Sequence, residues 1–215
     1  MIGKTKSVIV ALCAGAFVMG TAGCTASADP AGPSSSPPAA STSAPSASPI
    51  PTAKPTPKPI PASSKGPAQN WPVPKMPEAA KEKSEEGIVA FTKYWFELVD
   101  FSVWTNDTKP IKAVTERSCI VCAEQIIDPT DRNHEYGGWH AGGKTTVAVN
   151  MAVLRDGVGI VGFSMKRDEL EMYLPSGKLT GTVPETEKPL PGTLYLTYDK
   201  NWSVSRIEFI DPGGN

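Results

Sequence analysis

The sequence predicts an α+β domain in which one long amphipathic helix precedes a curved antiparallel sheet. Two observations carry this. Ile88, Phe91, Trp95, Leu98, Val99 and Ser102 recur at the i, i+3, i+4, i+7 spacing of one helical face. From Lys144 onward the period falls to two, with Thr146, Ala148 and Asn150 alternating with Val147, Val149, Met151 and Val153. Helices followed by a run of strands form an α+β plan. A third observation, of composition, sets the limits. Pro, Ser, Ala, Thr and Lys dominate as far as Asn70, so the folded domain is expected over residues 71–215.

The chain opens on Lys4 and Lys6, followed by an apolar run from Val8 to Met19. That run is shorter than the roughly 20 residues that span a bilayer. It has the length of a signal-peptide core. Small residues then lead into Thr21-Ala22-Gly23-Cys24. The arrangement resembles a bacterial lipoprotein signal with its lipobox, although Thr21 stands where Leu is usual. The resemblance implies removal of residues 1–23, acylation of Cys24 (a diacylglyceryl group bearing palmitate-like chains), and an extracytoplasmic protein held to the cell membrane by lipid. Ordinary secretion with an unmodified Cys24 is the alternative.

Residues 24–70 read as a disordered linker. Ile50 and Ile60 are the large aliphatic residues in it, too few to offset the entropy of ordering the chain. Its prolines bias it toward polyproline II, a spacer of about 3.1 Å per residue. The formal net charge of the whole chain is −1. From Trp71 onward, 16 Lys and Arg face 21 Asp and Glu, a net of −5. Such a domain has no electrostatic footprint for nucleic acid.

Within the domain, helix one is expected from Pro77 to Trp104. Pro77 suits a first helical position, and Glu78, Glu82, Glu85 and Glu86 suit the positive end of the helix. Gly87 is a weak point. Tyr94, Phe96, Phe101 and Trp104 widen the apolar stripe, which fits a core helix gripped by a sheet better than a ligand pocket. A second helix, capped by Asp107 or Thr108, should reach Thr115, and a third, capped by Ser118, should run from Cys119 to Ile127, where Pro129 ends or bends it. Residues 134–143 read as a loop. Strands follow after Lys144, across an Asp156-Gly157 turn to Val158–Met165, with bulges at Gly159 and Gly162. Leu170-Met172-Leu174 is a third strand, Val183–Pro191 an exposed loop, and two strands around Leu194–Tyr198 and Val204–Phe209 close the domain.

Helix one, the Ser118-to-Cys122 turn, Gly137-Gly138-Trp139 and the strands after Lys144 together resemble the cone-shaped NTF2-like (cystatin-like) fold. Behind a Pro/Ser-rich tether, the same set resembles a family of actinobacterial lipoproteins of unknown function (domain of unknown function 6318), over roughly residues 70–212. The resemblance implies architecture and location, and no activity.

Cys119 and Cys122 are an unshared pair in an oxidising compartment, and a structural disulfide is expected of them. Thiol–disulfide enzymes also carry CxxC at a helix start, but after a strand, and here Ile120-Val121 fills the gap in a segment that reads as helix. His134 and His140 are the chain's two histidines. With the two cysteines they match no zinc pattern known to us, and neither a metal nor a cofactor is expected. GxSxG, HExxH, P-loop and GxGxxG motifs are absent. Candidate pocket or ligand contacts are Trp95, Asp100, Trp139 and His140. The expected function is a non-enzymatic envelope lipoprotein that binds a ligand, an envelope protein or a wall polymer. The rival is a ketosteroid-isomerase-like enzyme using a pocket carboxylate, Asp100 or Glu97. A buried, desolvated carboxylate in a cavity would favour the rival, and a cone filled by Phe91, Trp95 and Leu98 would favour the first.

Overall fold

The computed structural model describes residues 57–210; the expected signal segment, Cys24 and the linker as far as residue 56 lie outside them. The described residues form an α+β unit with two open antiparallel sheets. The larger sheet has the order β2-β3-β6-β7, from strands Thr145–Arg155, Val158–Arg167, Leu190–Tyr198 and Trp202–Phe209. The smaller has the order β1-β4-β5, from Trp139–Gly142, Leu170–Tyr173 and Leu179–Val183.

Helix α1 spans Glu85–Thr105 and packs on the larger sheet. The start expected at Pro77 is displaced, because a separate 3-10 turn, Glu78–Lys81, comes first. The split has a local cause. Ser84 is extended and accepts the Gly87 N–H on its side chain at 3.0 Å, a regular helix cap. The predicted stripe is the buried face: Ile88, Phe91, Trp95, Leu98 and Ser102 are all fully buried. Facing it, the strands offer cross-strand rows. Val161, Leu194 and Ile207 are register partners and fully buried. Gly159 and Gly192 sit in rows where a side chain has no room. A Cβ on Gly159 would lie 2.8 Å from Cγ2 of Ile88, and one on Gly192 would lie 2.5 Å from Cζ of Phe163. These glycines permit close packing. The predicted bulges at Gly159 and Gly162 are not there; the register shift in this hairpin falls in β2, between Val149 and Met151.

The second helix is short, α2 at Lys109–Lys112, and Asp107 supplies the side-chain acceptor for the Lys109 N–H at 3.1 Å. Ser118 does not cap the third. Its hydroxyl turns to Glu116, and Cys119 occupies the cap position. From Ile120 the chain runs through α3, Ile120–Cys122, a π-helical turn, Ala123–Ile127, and α4, Asp128–Tyr136. Pro129 therefore does not stop the helix. It follows the π-helical turn, whose last bond runs from the Asp128 N–H to the Ala123 carbonyl, and the helical backbone continues past it through α4. The predicted loop over 134–143 is also replaced, by the end of α4 and by β1. Strand β5 lies in a stretch to which no strand was assigned.

The linker boundary moves as well. Within the stretch assigned to the linker, Ile60 and Gln69 exchange backbone hydrogen bonds, each 2.9 Å, as do Ser63 and Gly66 across the turn. This small hairpin docks on the second sheet. Ala62 packs against Trp139, Ala141 and Tyr173, and the Ser63 carbonyl accepts the indole N–H of Trp139 at 2.8 Å. Ordered structure thus begins before Trp71.

The sulfurs of Cys119 and Cys122 stand at bonding distance, with Cα atoms 5.2 Å apart, and both residues are buried in the main core. A bridge over so short a loop should contribute about 2 kcal/mol. Replacing both with Ser should lower the melting temperature by about 5 °C and leave the circular dichroism spectrum unchanged. An unaltered melting temperature would show that the bridge adds nothing.

Candidate functional site

One face of α1 and one of α4 do not close completely on the sheets. Between them lies a cavity of about 300 Å³. Helix α1 contributes Phe96, Val99, Asp100 and Val103, spaced to share one face. The π-helical turn and α4 contribute Gln125, Ile126, Pro129 and Thr130. The far wall combines Met165 and Arg167 of β3, Leu170 and Met172 of β4, His140 of β1 and Phe209 of β7. Both sheets therefore build it. Its wall is largely apolar, with a few polar groups converging on it.

Asp100 is 7% exposed. Its two carboxylate oxygens accept the same backbone N–H, that of Thr145, at 3.1 and 3.0 Å. Burial raises its pKa from 3.8 to about 6; hydrogen bonds from Thr145 and the charge of Lys144 oppose the rise, and Asp168 adds to it. His140 is half-buried, and burial lowers its pKa from 6.5, against a hydrogen bond with the Val103 backbone. Its Nδ1 lies 3.4 Å from the Asn133 amide nitrogen. The imidazole is thus held toward its neutral form. Thr130 donates its hydroxyl to the Ile126 carbonyl at 2.6 Å.

Of the four residues singled out from the sequence, Asp100 and His140 meet at this cavity. Trp95 is fully buried in the core and donates its indole N–H to Thr115 at 2.9 Å. Trp139 stacks on Tyr173, ring centroids 5.3 Å apart, under the N-terminal hairpin. Neither lines the cavity. Glu97, the other acid considered, is exposed and faces an outer groove. Arg167 was missed. The signal was present: Val161, Phe163, Met165 and Arg167 share one parity of β3, and Val161 and Phe163 are buried. The strand expected over Val158–Met165 runs two residues further, to Arg167.

The model of a family of unknown function, DUF6318, matches residues 57–207. The chain belongs to DUF6318. The match takes in the N-terminal hairpin, the helices that border the cavity and most of β7. No curated protein matches this DUF6318 chain. Among solved structures, the intermembrane space region of the chloroplast protein ARC6 matches with a TM-score of 0.42 and 8% sequence identity, over 59% of this chain and 96% of that one. Among the described residues of the DUF6318 chain, no group of three or more His, Cys, Asp or Glu is placed to hold a metal ion. No described helix is long and apolar enough to cross a membrane.

Proposed function

We propose that this DUF6318 chain is a lipid-anchored, non-enzymatic binding module of the cell envelope, and that its cavity takes a small ligand. The observation that carries the reading is the cavity itself: about 300 Å³, walled by apolar side chains from both sheets and two helices, with a few polar groups directed to it. That is the usual make-up of a small-molecule site, at the small end of the size range. The order of a long helix followed by antiparallel strands resembles the NTF2-like fold and supports the same placement of a site. The location rests on Thr21-Ala22-Gly23-Cys24 and the apolar run before it.

Native mass spectrometry of the chain released gently from membranes tests the binding reading. A bound small molecule is expected, and Val103→Trp, which fills the cavity, should abolish it. An unliganded protein that also takes up no apolar probe from solution would sink the reading. For the anchor, Cys24→Ala should shift the protein from the membrane fraction to the medium. Full membrane retention of that variant would remove the lipid from the account.

Asp100 supports a second reading, an enzyme of the ketosteroid-isomerase-like kind, because a buried carboxylate with a raised pKa lines the cavity. Its two oxygens share the single Thr145 N–H, which leaves acceptor positions on both. Phe91, Trp95 and Leu98 are fully buried in the main core and do not line the cavity, so the space beside Asp100 remains open, as the enzyme reading requires; turnover of a ketosteroid-like substrate that is lost in Asp100→Asn would decide for it.

A further inference from the structure

Most of the side-chain polar groups around the cavity have partners. Asp100 takes the Thr145 N–H, Thr130 is bonded to Ile126, and His140 is engaged by the Val103 backbone and lies near Asn133. Arg167 differs. Its Nε is buried and has no hydrogen-bond partner, the one such side-chain atom among the described residues. The ion pairs found there, Lys81–Glu78, Lys112–Asp131 and Arg206–Glu208, do not involve it. Its backbone is fixed all the same: its N–H donates to the Thr186 hydroxyl at 3.2 Å, and its carbonyl accepts the Thr186 N–H at 2.8 Å. A guanidinium is charged at any accessible pH, and its planar fork fits a carboxylate through two parallel N–H donors. A buried donor without a partner destabilises the fold, and an incoming acceptor removes that penalty.

Resting on the binding reading above, we infer that the cavity selects a small amphipathic anion, with an apolar body against Phe96, Val99, Ile126 and Met172 and a carboxylate on the Arg167 guanidinium. A cavity of about 300 Å³ suits a body of about ten heavy atoms. Asp100 lines the same cavity, where burial disfavours its charged form, and the octylammonium comparison below decides whether it draws a cation instead.

Isothermal titration calorimetry with octanoate, octan-1-ol and octylammonium tests this in the full chain carrying Cys24→Ala. Octanoate should bind at least about tenfold tighter than octanol, the effect of charge-assisted hydrogen bonds. Arg167→Met should bring the two to equal affinity, and Arg167→Lys should keep part of the preference. The wild-type comparison stands even if a variant folds poorly. Equal affinities for octanoate and octanol in wild type would overturn the anion preference and leave the cavity a site for apolar ligands. Tighter binding of octylammonium would overturn it in favour of Asp100. No binding of any of the three would remove the binding reading as well.

Discussion

Trp202→Ala is expected to cost about 3–5 kcal/mol of folding stability, the range for removing a large aromatic from a packed core. Trp202 opens β7 and is fully buried. Its ring meets that of Tyr198 edge to face, centroids 4.9 Å apart, and its indole N–H donates to the Glu82 carbonyl at 2.8 Å. That carbonyl belongs to the stretch just before the Ser84 cap. One side chain therefore ties the last strand to the start of α1, across 120 residues of sequence. Domains of this size are stable by about 5–15 kcal/mol, so the variant would stand close to its unfolding threshold. Trp202→Phe keeps most of the volume, loses the hydrogen bond to a carbonyl that water can reach, and should cost about 1–2 kcal/mol. Urea midpoints measure both. A loss under about 1 kcal/mol for the alanine variant would mean that the core does not depend on this contact.

Asp100→Asn should change how stability depends on pH. The folded state holds the Asp100 proton more tightly than the unfolded chain, with a pKa raised to about 6 from 3.8, chiefly by burial. Its contribution is therefore full below about pH 4 and is lost as pH rises through about 6, a span of about 3 kcal/mol. His140 works the other way. Its pKa is lowered by burial, so its contribution is present above pH 6.5 and is lost as pH falls through its folded value. The two contributions add with opposite slopes in the wild-type profile, and the substitution isolates that of Asp100. The asparagine side chain carries no charge at any pH and keeps one oxygen for the Thr145 N–H. Relative to wild type, the variant should gain about 3 kcal/mol between about pH 4 and pH 8 in denaturant midpoints. A gap that does not change with pH would show that Asp100 is solvated as in the unfolded chain.

The elements legible in the sequence are those whose own side chains state their surroundings. Ile88, Phe91, Trp95 and Leu98 announce a helix face, and Val161, Phe163, Leu194 and Leu196 announce strands, because each is buried by the pattern it belongs to. The misread segments draw their stability from elsewhere. Residues 60–69 look like linker because what holds them is supplied by Trp139 and Tyr173, far along the chain. Leu179–Val183 is an edge strand, exposed at three of its five positions, so alternation is faint. Pro129 reads as a stop unless the π-helical turn ahead of it is known. At the cavity, Asp100 and His140 were accessible to sequence reasoning as titratable residues beside apolar ones. Their meeting with Arg167 depends on how both sheets close around α1, and no local spacing encodes that.

The docked hairpin also decides how the domain responds to a pull from its N-terminal side. Tension applied at Pro57 reaches the Ile60–Gln69 pairing first, and it reaches that pairing from an end. The bonds between Ile60 and Gln69 then open before those between Ser63 and Gly66, one pair at a time, as in a zip. Strands loaded this way yield at low force, whereas the long ladder between β3 and β6 lies farther along the chain and is untouched. Opening the hairpin releases roughly 30 Å of chain, at about 3.3 Å per extended residue, before any load reaches α1. The same event bares the stacked rings of Trp139 and Tyr173. The fold thus carries a mechanical fuse at the N-terminal edge of the domain, and indole fluorescence would report when it has blown.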